Sequence, residues 1–134
     1  MKSQIKIFLS VLLVSLLFGF STSSVSIDYF KAKTISDRVI LEWKSLSETD
    51  LINYQIERKR ENQTGFESVK TITPSGSGSV YSFEDIGLYK TNGETISYRL
   101  NIKTVTGSYT MDVTADYKST AVRRTWGSIK AMFK

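Results

Sequence analysis

The residues of this chain that could take part in chemistry are carboxylates. Glu84 and Asp85 are adjacent, Glu48 and Asp50 share one connection between predicted strands, and Glu57 stands on an outward strand face. Two carboxylates that converge on one bond are the arrangement of glycoside hydrolases. Adjacent residues of a strand point to opposite faces, so Glu84 and Asp85 cannot converge in this way. The sequence therefore predicts no catalytic residue and no enzyme activity.

Two residue types that serve most protein chemistry are absent. The 134 residues include no His and no Cys. His is the commonest general base near neutral pH and a frequent metal ligand, and Cys supplies thiolate nucleophiles, disulfides and zinc ligands. Calcium remains, because Glu48, Asp50 and Asn53 offer hard oxygen donors, but the spacing of a calcium loop is missing. We expect no metal and no cofactor.

Positive charge is concentrated at the two ends of the chain. The net charge is +5, yet residues 22–117 carry 11 Lys and Arg against 13 Asp and Glu. Residues 118–134 carry five Lys and Arg and no acid. A protein that binds nucleic acid needs a basic face on the fold itself. The sequence therefore predicts no nucleic-acid partner.

The basic tail, residues 118–134, has an apolar stripe with helical spacing. Val122, Trp126, Ile129 and Phe133 recur at i, i+4, i+7 and i+11, which is one face of a helix. Such a segment binds an anionic membrane surface or the groove of a protein partner, packs back on its own domain, or stays an unstructured extension. The candidate contact residues for a partner or membrane are Arg123, Arg124, Trp126, Ile129, Lys130, Phe133 and Lys134.

The N-terminus has the order of a secretory signal peptide. Lys2 and Lys6 precede an apolar run from Ile7 to Phe20, and small residues follow over 21–24. We expect residues 1–24 to be a signal peptide that is cut after about residue 21–24, and the protein to be exported to the periplasm, the cell surface or the medium. The alternative is an uncleaved membrane anchor, although about 14 apolar residues fall short of the roughly 20 that span a bilayer.

The body of the chain, residues 25–117, alternates apolar and polar residues with turn-forming clusters every eight to twelve residues. This pattern predicts an all-β domain, a seven-stranded antiparallel β-sandwich. Two of its strands form a tight hairpin across Thr106-Gly107. The first strand, Val25 to Ala32, changes phase at Tyr29-Phe30 as a β-bulge would require. The inward residues of the hairpin are Ile96, Tyr98, Leu100, Ile102, Tyr109, Met111, Val113 and Ala115, and Phe66, Val69 and Ile72 belong to another strand.

Three residues of this pattern carry a family resemblance. With Trp43 on the second strand, Leu88 in a corner loop and Tyr98 on the sixth strand, the chain resembles a fibronectin type III domain, which has an immunoglobulin-like fold. The resemblance implies that Trp43 packs in the core and that Tyr98 caps a corner by hydrogen-bonding nearby backbone. A closer similarity is to the sandwich modules near the C-termini of secreted Bacteroidetes-type bacterial proteins. The segments that carry it are 41–43, 47–50, 54–58, 97–100 and 107–109.

These features predict an exported, non-catalytic interaction module that contacts a protein partner or an anionic membrane through its tail. The alternative is a structural or adhesive surface domain that acts through its strand faces. On these strand faces, we expect Glu57 and Arg99 to form a cross-strand charge pair. The polar stripe available for such a function comprises Gln55, Glu57, Lys59, Ser97, Arg99, Asn101 and Lys103.

Overall fold

The computed structural model describes residues 25–36, 38–88 and 93–118. Its strands are β1 (Val25–Ile35), β2 (Arg38–Glu48), β3 (Leu51–Lys59), β4 (Glu67–Ile72), β5 (Val80–Asp85), β6 (Glu94–Thr104) and β7 (Gly107–Tyr117). They form two antiparallel sheets, ordered β1-β2-β5 and β4-β3-β6-β7. The predicted seven-stranded all-β sandwich is confirmed. Within the described ranges no helix is long and apolar enough to cross a membrane, and the predicted signal peptide lies outside those ranges.

The core follows from the alternation of apolar and polar residues. Every second residue from Val39 to Ser45 of β2 and from Ile96 to Ile102 of β6 is fully buried, and each aliphatic side chain among them contributes roughly 1.5–3 kcal/mol by leaving water. Trp43 lies at the centre, stacked on Tyr81 at 5.1 Å and packed edge-on against Tyr54 at 5.5 Å between ring centroids. The predicted burial of Trp43 is thereby confirmed.

Bulges interrupt the regular strand pairing at three places near one end of the sandwich. Asp28 is an extra residue of β1, since Ile27 pairs with Ser45 and Tyr29 with Lys44. This confirms the predicted phase change, although β1 runs on to Ile35 instead of ending at Ala32. Two further extra residues are Leu46 of β2 and Ile52 of β3. Bulged residues leave the strand alternation, which explains why both apolar side chains are about half exposed.

The strand ends form two poles. The N-terminal pole carries Val25 and the β2–β3, β4–β5 and β6–β7 connections, and the C-terminal pole carries the other three connections and Tyr117. At the N-terminal pole, a carboxylate of the three-stranded sheet, Glu48, accepts a hydrogen bond from Tyr54 of the four-stranded sheet. Asp85 and Tyr98 repeat this arrangement at the C-terminal pole. A tyrosine–carboxylate pair therefore joins the two sheets at each end.

The pair at the C-terminal pole includes a cation. Asp85 is 3% exposed, and Arg58 Nη1 donates to its two carboxylate oxygens at 3.0 and 2.8 Å. The Tyr98 hydroxyl donates to Oδ2 at 2.9 Å and the Gly87 N–H to Oδ1 at 3.2 Å. The same guanidinium reaches Glu67 of β4, with Nη2 at 2.6 Å from Oε1. Arg58 thus links β3, β4 and β5 across both sheets.

The hydrogen bond of Tyr98 corrects one expectation. The family resemblance implied a backbone acceptor, but the hydroxyl donates to the Asp85 side chain. An ionised carboxylate is a stronger acceptor than a carbonyl, and the inward position of Asp85 on β5 brings it within reach. Burial, together with the charge of Asp85, raises the pKa of Tyr98, so the phenol stays protonated. Leu88, the apolar residue of the corner loop three positions after Asp85, is fully buried.

Removing the Asp85 carboxylate should destabilise the fold strongly. We expect Asp85→Ala to lower the free energy of unfolding by about 3 kcal/mol, because Arg58 then loses a buried partner. Tyr98→Phe removes one hydrogen bond and should cost about 1–2 kcal/mol. Urea unfolding followed by circular dichroism measures both. Glu84→Ala is the matched control, because this neighbour forms only a surface pair with Arg38. Equal unfolding free energies for Asp85→Ala and Glu84→Ala would contradict a stabilising role for the cluster.

Candidate functional site

The sequence placed its contact residues in the tail, at positions 123–134, and these lie outside the described residues. The structure does place the start of the tail. Strand β7 ends at Tyr117, which is fully buried at the C-terminal pole, and Lys118 follows as an exposed residue. Whatever the tail contacts, it is attached at the C-terminal pole.

The carboxylates considered for catalysis do not converge. Glu84 points to solvent and Asp85 into the core, as the strand alternation predicts. Among residues 25–36, 38–88 and 93–118, no group of three or more acidic side chains is placed to hold a metal ion. The buried carboxylate of Asp85 is occupied by its internal donors, so it offers no free base to a substrate.

Glu48, a calcium candidate, is enclosed by hydrogen-bond donors. The hydroxyls of Tyr54 and Tyr81 donate to Oε1 at 2.8 and 2.5 Å, and the Gly76 N–H donates to Oε2 at 2.7 Å. Burial alone would raise the pKa of Glu48, but the hydrogen bonds from Tyr81 and Tyr54 outweigh it and hold the pKa below its usual range. Gly76 has φ +114°, a conformation that favours glycine, which lets its N–H reach the carboxylate. The hydrogen bond from Gly76 to this carboxylate therefore holds the β4–β5 connection against the end of the sandwich.

A groove lies on the outer face of the four-stranded sheet. The Arg99 guanidinium lies over the Phe66 ring at 3.9 Å from its centroid, and Lys59 Nζ lies at 5.4 Å from the same centroid. The groove is open and shallow, with a volume of about 510 Å³. Its lining combines two cations, one acid, two hydroxyls, an aromatic ring and a valine: Lys59, Phe66, Ser97, Arg99, Asp112, Val113 and Thr114. Such a surface is suited to a polar ligand held by charge and hydrogen bonds.

The predicted polar stripe contributes to this groove with one correction. Lys59, Ser97 and Arg99 come together as the strand alternation required. Arg99, however, forms its ion pair with Asp112, at 2.8 Å from Nε and 3.0 Å from Nη2. Both Glu57 and Asp112 are cross-strand neighbours of Arg99, but Asp112 accepts with both oxygens while Glu57 accepts from Asn101. The expected Glu57–Arg99 charge pair is in register across the strands, but the direct ion pair of Arg99 is with Asp112.

Two aromatic residues lie where the sequence did not place them. Phe66 was assigned to a strand, but β4 begins at Glu67 and the ring stands on the outer face with Arg99. Tyr109 was expected in the core, but it is 41% exposed and its hydroxyl donates to the backbone oxygen of Val25 at 2.9 Å. An alternation with a period of two shows on which face of a strand a side chain lies. It does not show whether the opposing sheet extends far enough to cover that side chain.

No family model and no curated protein matches the sequence. Among solved structures, the chain is similar to wild-type OgpA from Akkermansia muciniphila, with a TM-score of 0.54 and 12% identity over 76% of this chain and 31% of that one. A structure described as a myokine has a TM-score of 0.47 and 8% identity, over 73% of this chain and 98% of that one. The chain spans under a third of the Akkermansia protein. At this identity, that similarity shows a β-sandwich fold and nothing of function.

The lowered pKa of Glu48 predicts a pH-dependent stability. A carboxyl whose pKa is lower in the folded state stabilises the fold above its unfolded pKa, about 4.3, and loses this contribution as the pH falls through the folded value. We expect Glu48→Gln to lower the unfolding free energy by about 1–2 kcal/mol at pH 7 and to flatten its decline below about pH 4.3. Urea unfolding at a series of pH values measures both effects.

Asp50→Asn is the matched control for Glu48→Gln. Asp50 lies in the same connection with φ +63°, a conformation that Asn adopts readily. Wild type and the control should give parallel curves against pH, since other carboxyls with lowered pKa remain in both. A Glu48→Gln curve parallel to that of wild type would rule out the role assigned to this carboxylate.

Proposed function

We propose that this chain is an exported, non-catalytic interaction module, in which a fibronectin type III-like sandwich supports the basic tail and the tail makes the contact. The observation that carries the proposal is the separation of charge between the two parts. The body holds slightly more acids than bases, and its buried carboxylates are bound internally, whereas the tail holds five cations and no acid. The tail is therefore where a negatively charged surface would be attracted.

The finer assignment to the fibronectin type III group rests on three positions. Trp43, Leu88 and Tyr98 are all fully buried, in the core and at the corner where that family uses such residues. Export is supported by the basic, apolar and small-residue order of residues 1–24.

The contact combines attraction with apolar burial. Arg123, Arg124 and Lys130 bring the tail to an acidic protein surface or an anionic membrane, and Trp126 and Phe133 supply the apolar part. Each cation near an anionic surface contributes about 1 kcal/mol, and salt screens this term. Binding through the tail should therefore weaken steeply as the ionic strength rises.

Deleting residues 119–134 should abolish the contact. Co-sedimentation with vesicles that contain phosphatidylglycerol, and capture of an envelope partner, test the two surfaces in parallel. We expect the deletion, and also Arg123→Gln with Arg124→Gln, to reduce binding to one of them by at least about tenfold at low salt. Lys31→Gln with Lys33→Gln, which removes two cations from β1, is the control and should have no effect. Unchanged binding to both surfaces after the deletion would eliminate the tail as the contact segment.

A second candidate function is adhesion through a strand face. The observation that favours it is the groove beside Phe66 and Arg99, where Lys59 takes part in none of the ion pairs found among the described residues. A partly exposed cation attracts an acidic group of a partner surface. This function needs the sandwich and not the tail.

Reversing charges on the outer face distinguishes the second candidate from the first. Arg99→Glu with Lys103→Glu should lower self-association or attachment to cells several-fold, while tail deletion leaves it unchanged. Lys33→Glu with Arg38→Glu, on the three-stranded sheet, changes the net charge by the same amount and is the control. Sedimentation velocity and an attachment assay provide the readouts. If Arg99→Glu with Lys103→Glu behaves like this control, the groove has no adhesive role.

A further inference from the structure

The two sheets of the sandwich have four edge strands, which are β1, β5, β4 and β7. An edge strand carries backbone N–H and C=O groups that a further strand can pair with, unless the edge is covered or blocked. Strands β1 and β7 cover each other. Thr34 of β1 donates to the backbone oxygen of Asp116 at 2.9 Å, and Tyr109 of β7 donates to that of Val25 at 2.9 Å. These two edges are therefore closed.

The edge of β4 is blocked by its own residues. Val69 is an extra residue of this strand, because Ile56 pairs with Lys70 and Glu57 with Ser68. Lys70 thereby lies opposite an inward residue of β3, yet its side chain is exposed. A bulge and a charge that points inward are the features by which an edge strand avoids pairing with another chain. Strand addition at β4 is disfavoured for this reason.

The edge of β5 has no such protection. This strand pairs with β2 over its whole length without a register shift, and it contains no Lys and no Pro. The Ser45 N–H donates to the oxygen of Ser79 at 3.0 Å, and residues that bond to the neighbouring strand alternate with residues that bond away from it. The backbone groups of Val80, Ser82 and Glu84 therefore point to the open edge. Among the described residues, no strand pairs with them.

We propose that β5 pairs antiparallel with β5 of a second copy of this chain, in a register centred on Phe83. Addition of a strand to an open edge is a common mode of protein recognition. The outward backbone groups of Ser82 then bond to those of Glu84 of the second copy, and the reverse pair follows by symmetry. A register centred on Glu84 would bring two carboxylates together, and one centred on Ser82 would place Val80 against a carboxylate.

The side chains of β5 are complementary to themselves in this register. Ser82 lies opposite Glu84 of the second copy, so its hydroxyl can donate to the carboxylate. Val80 and Ile86, which are 59 and 65% exposed, lie opposite each other, so two apolar pairs leave water. The partly buried Phe83 meets its counterpart at the symmetry axis, and such aromatic cross-strand pairs are stabilising. Each contact other than the central one occurs twice.

The pairing determines where the two tails lie. Antiparallel strands turn the second sandwich end for end, and each tail begins after Tyr117 at the C-terminal pole of its own copy. The two tails therefore lie at opposite ends of the dimer. If the tail contact of the proposed function holds, one dimer joins two surfaces instead of binding one surface twice. The pairing of β5 itself does not depend on the tail.

A proline at the open edge tests the pairing. Sedimentation equilibrium of the full chain, purified as the cell processes it, measures the dissociation constant of the dimer. Ser82→Pro removes an N–H that points away from β2, so the sheet itself loses no hydrogen bond. We expect this variant to weaken the dimer at least about tenfold, since two intermolecular hydrogen bonds are lost. Circular dichroism checks that the variant is folded.

A lysine at the same position tests the register and does not depend on the proline variant. Ser82→Lys places a cation opposite Glu84 of the second copy, so the dimer should tighten about fivefold at low salt. A register centred on Ser82 would instead bring two lysines together and weaken the dimer. Ser82→Lys with Glu84→Lys should bind more weakly than wild type. Thr71→Lys, which adds the same charge at the edge of β4, is the matched control and should have no effect.

Three outcomes would overturn the proposal. The first is a full chain that stays monomeric at its highest soluble concentration. A dimer that appears only after deletion of residues 119–134 would mean that the tail occupies the edge of β5. A dimer that Ser82→Pro leaves intact and Arg99→Glu with Lys103→Glu dissociates would assign self-association to the groove. Loss of the tail contact alone alters none of these readouts, so the two proposals are tested separately.

Discussion

The buried carboxylate of Asp85 is the constraint on which the rest of the sandwich depends. An ionised group inside a protein costs several kcal/mol unless donors surround it. Asp85 accepts four hydrogen bonds, two from Arg58 and one each from Tyr98 and Gly87. These donors come from β3, β6 and the connection after β5, so the cost is offset only when both sheets and that connection are in place. The chain has no Cys and so no disulfide, and this cluster is what joins the two sheets at the C-terminal pole.

At the N-terminal pole a carboxylate also joins the two sheets, but its hydrogen-bond donors are weaker. Glu48 accepts a hydroxyl from Tyr54 across the sheets and a second from Tyr81 of its own sheet, but among the described residues no cation pairs with it. Neutral donors stabilise a carboxylate less than a guanidinium does. Glu48 also holds the β4–β5 connection through Gly76. Loss of the Glu48 charge therefore loosens the N-terminal pole, while the Arg58–Asp85 pair still joins the two sheets at the opposite pole.

The sequence predicted what depends on local periodicity and missed what depends on distant partners. Alternation identified the inward residues of β6 and the short β6–β7 hairpin, and the family resemblance implied the burial of Trp43. Arg58 falls on the inward face of β3 by the same alternation, but its partner Asp85 is 27 residues away, and no local pattern connects the two. The Arg99–Asp112 pair was missed because two acids flank Arg99 equally in register, and only side-chain geometry decides between them.

An odd number of antiparallel strands places the two ends of the sandwich chain at opposite poles. Strand β1 begins at Val25 on the N-terminal pole and β7 ends at Tyr117 on the other, and both strands have 11 residues. At about 3.3 Å per residue the poles lie roughly 36 Å apart, several times the Debye length of about 8 Å in physiological salt. The charge of Glu48 at the N-terminal pole is therefore screened from Tyr117, where the basic tail begins. A change at Glu48 acts on the stability of the sandwich and leaves the charges around the attachment point of the tail unaltered.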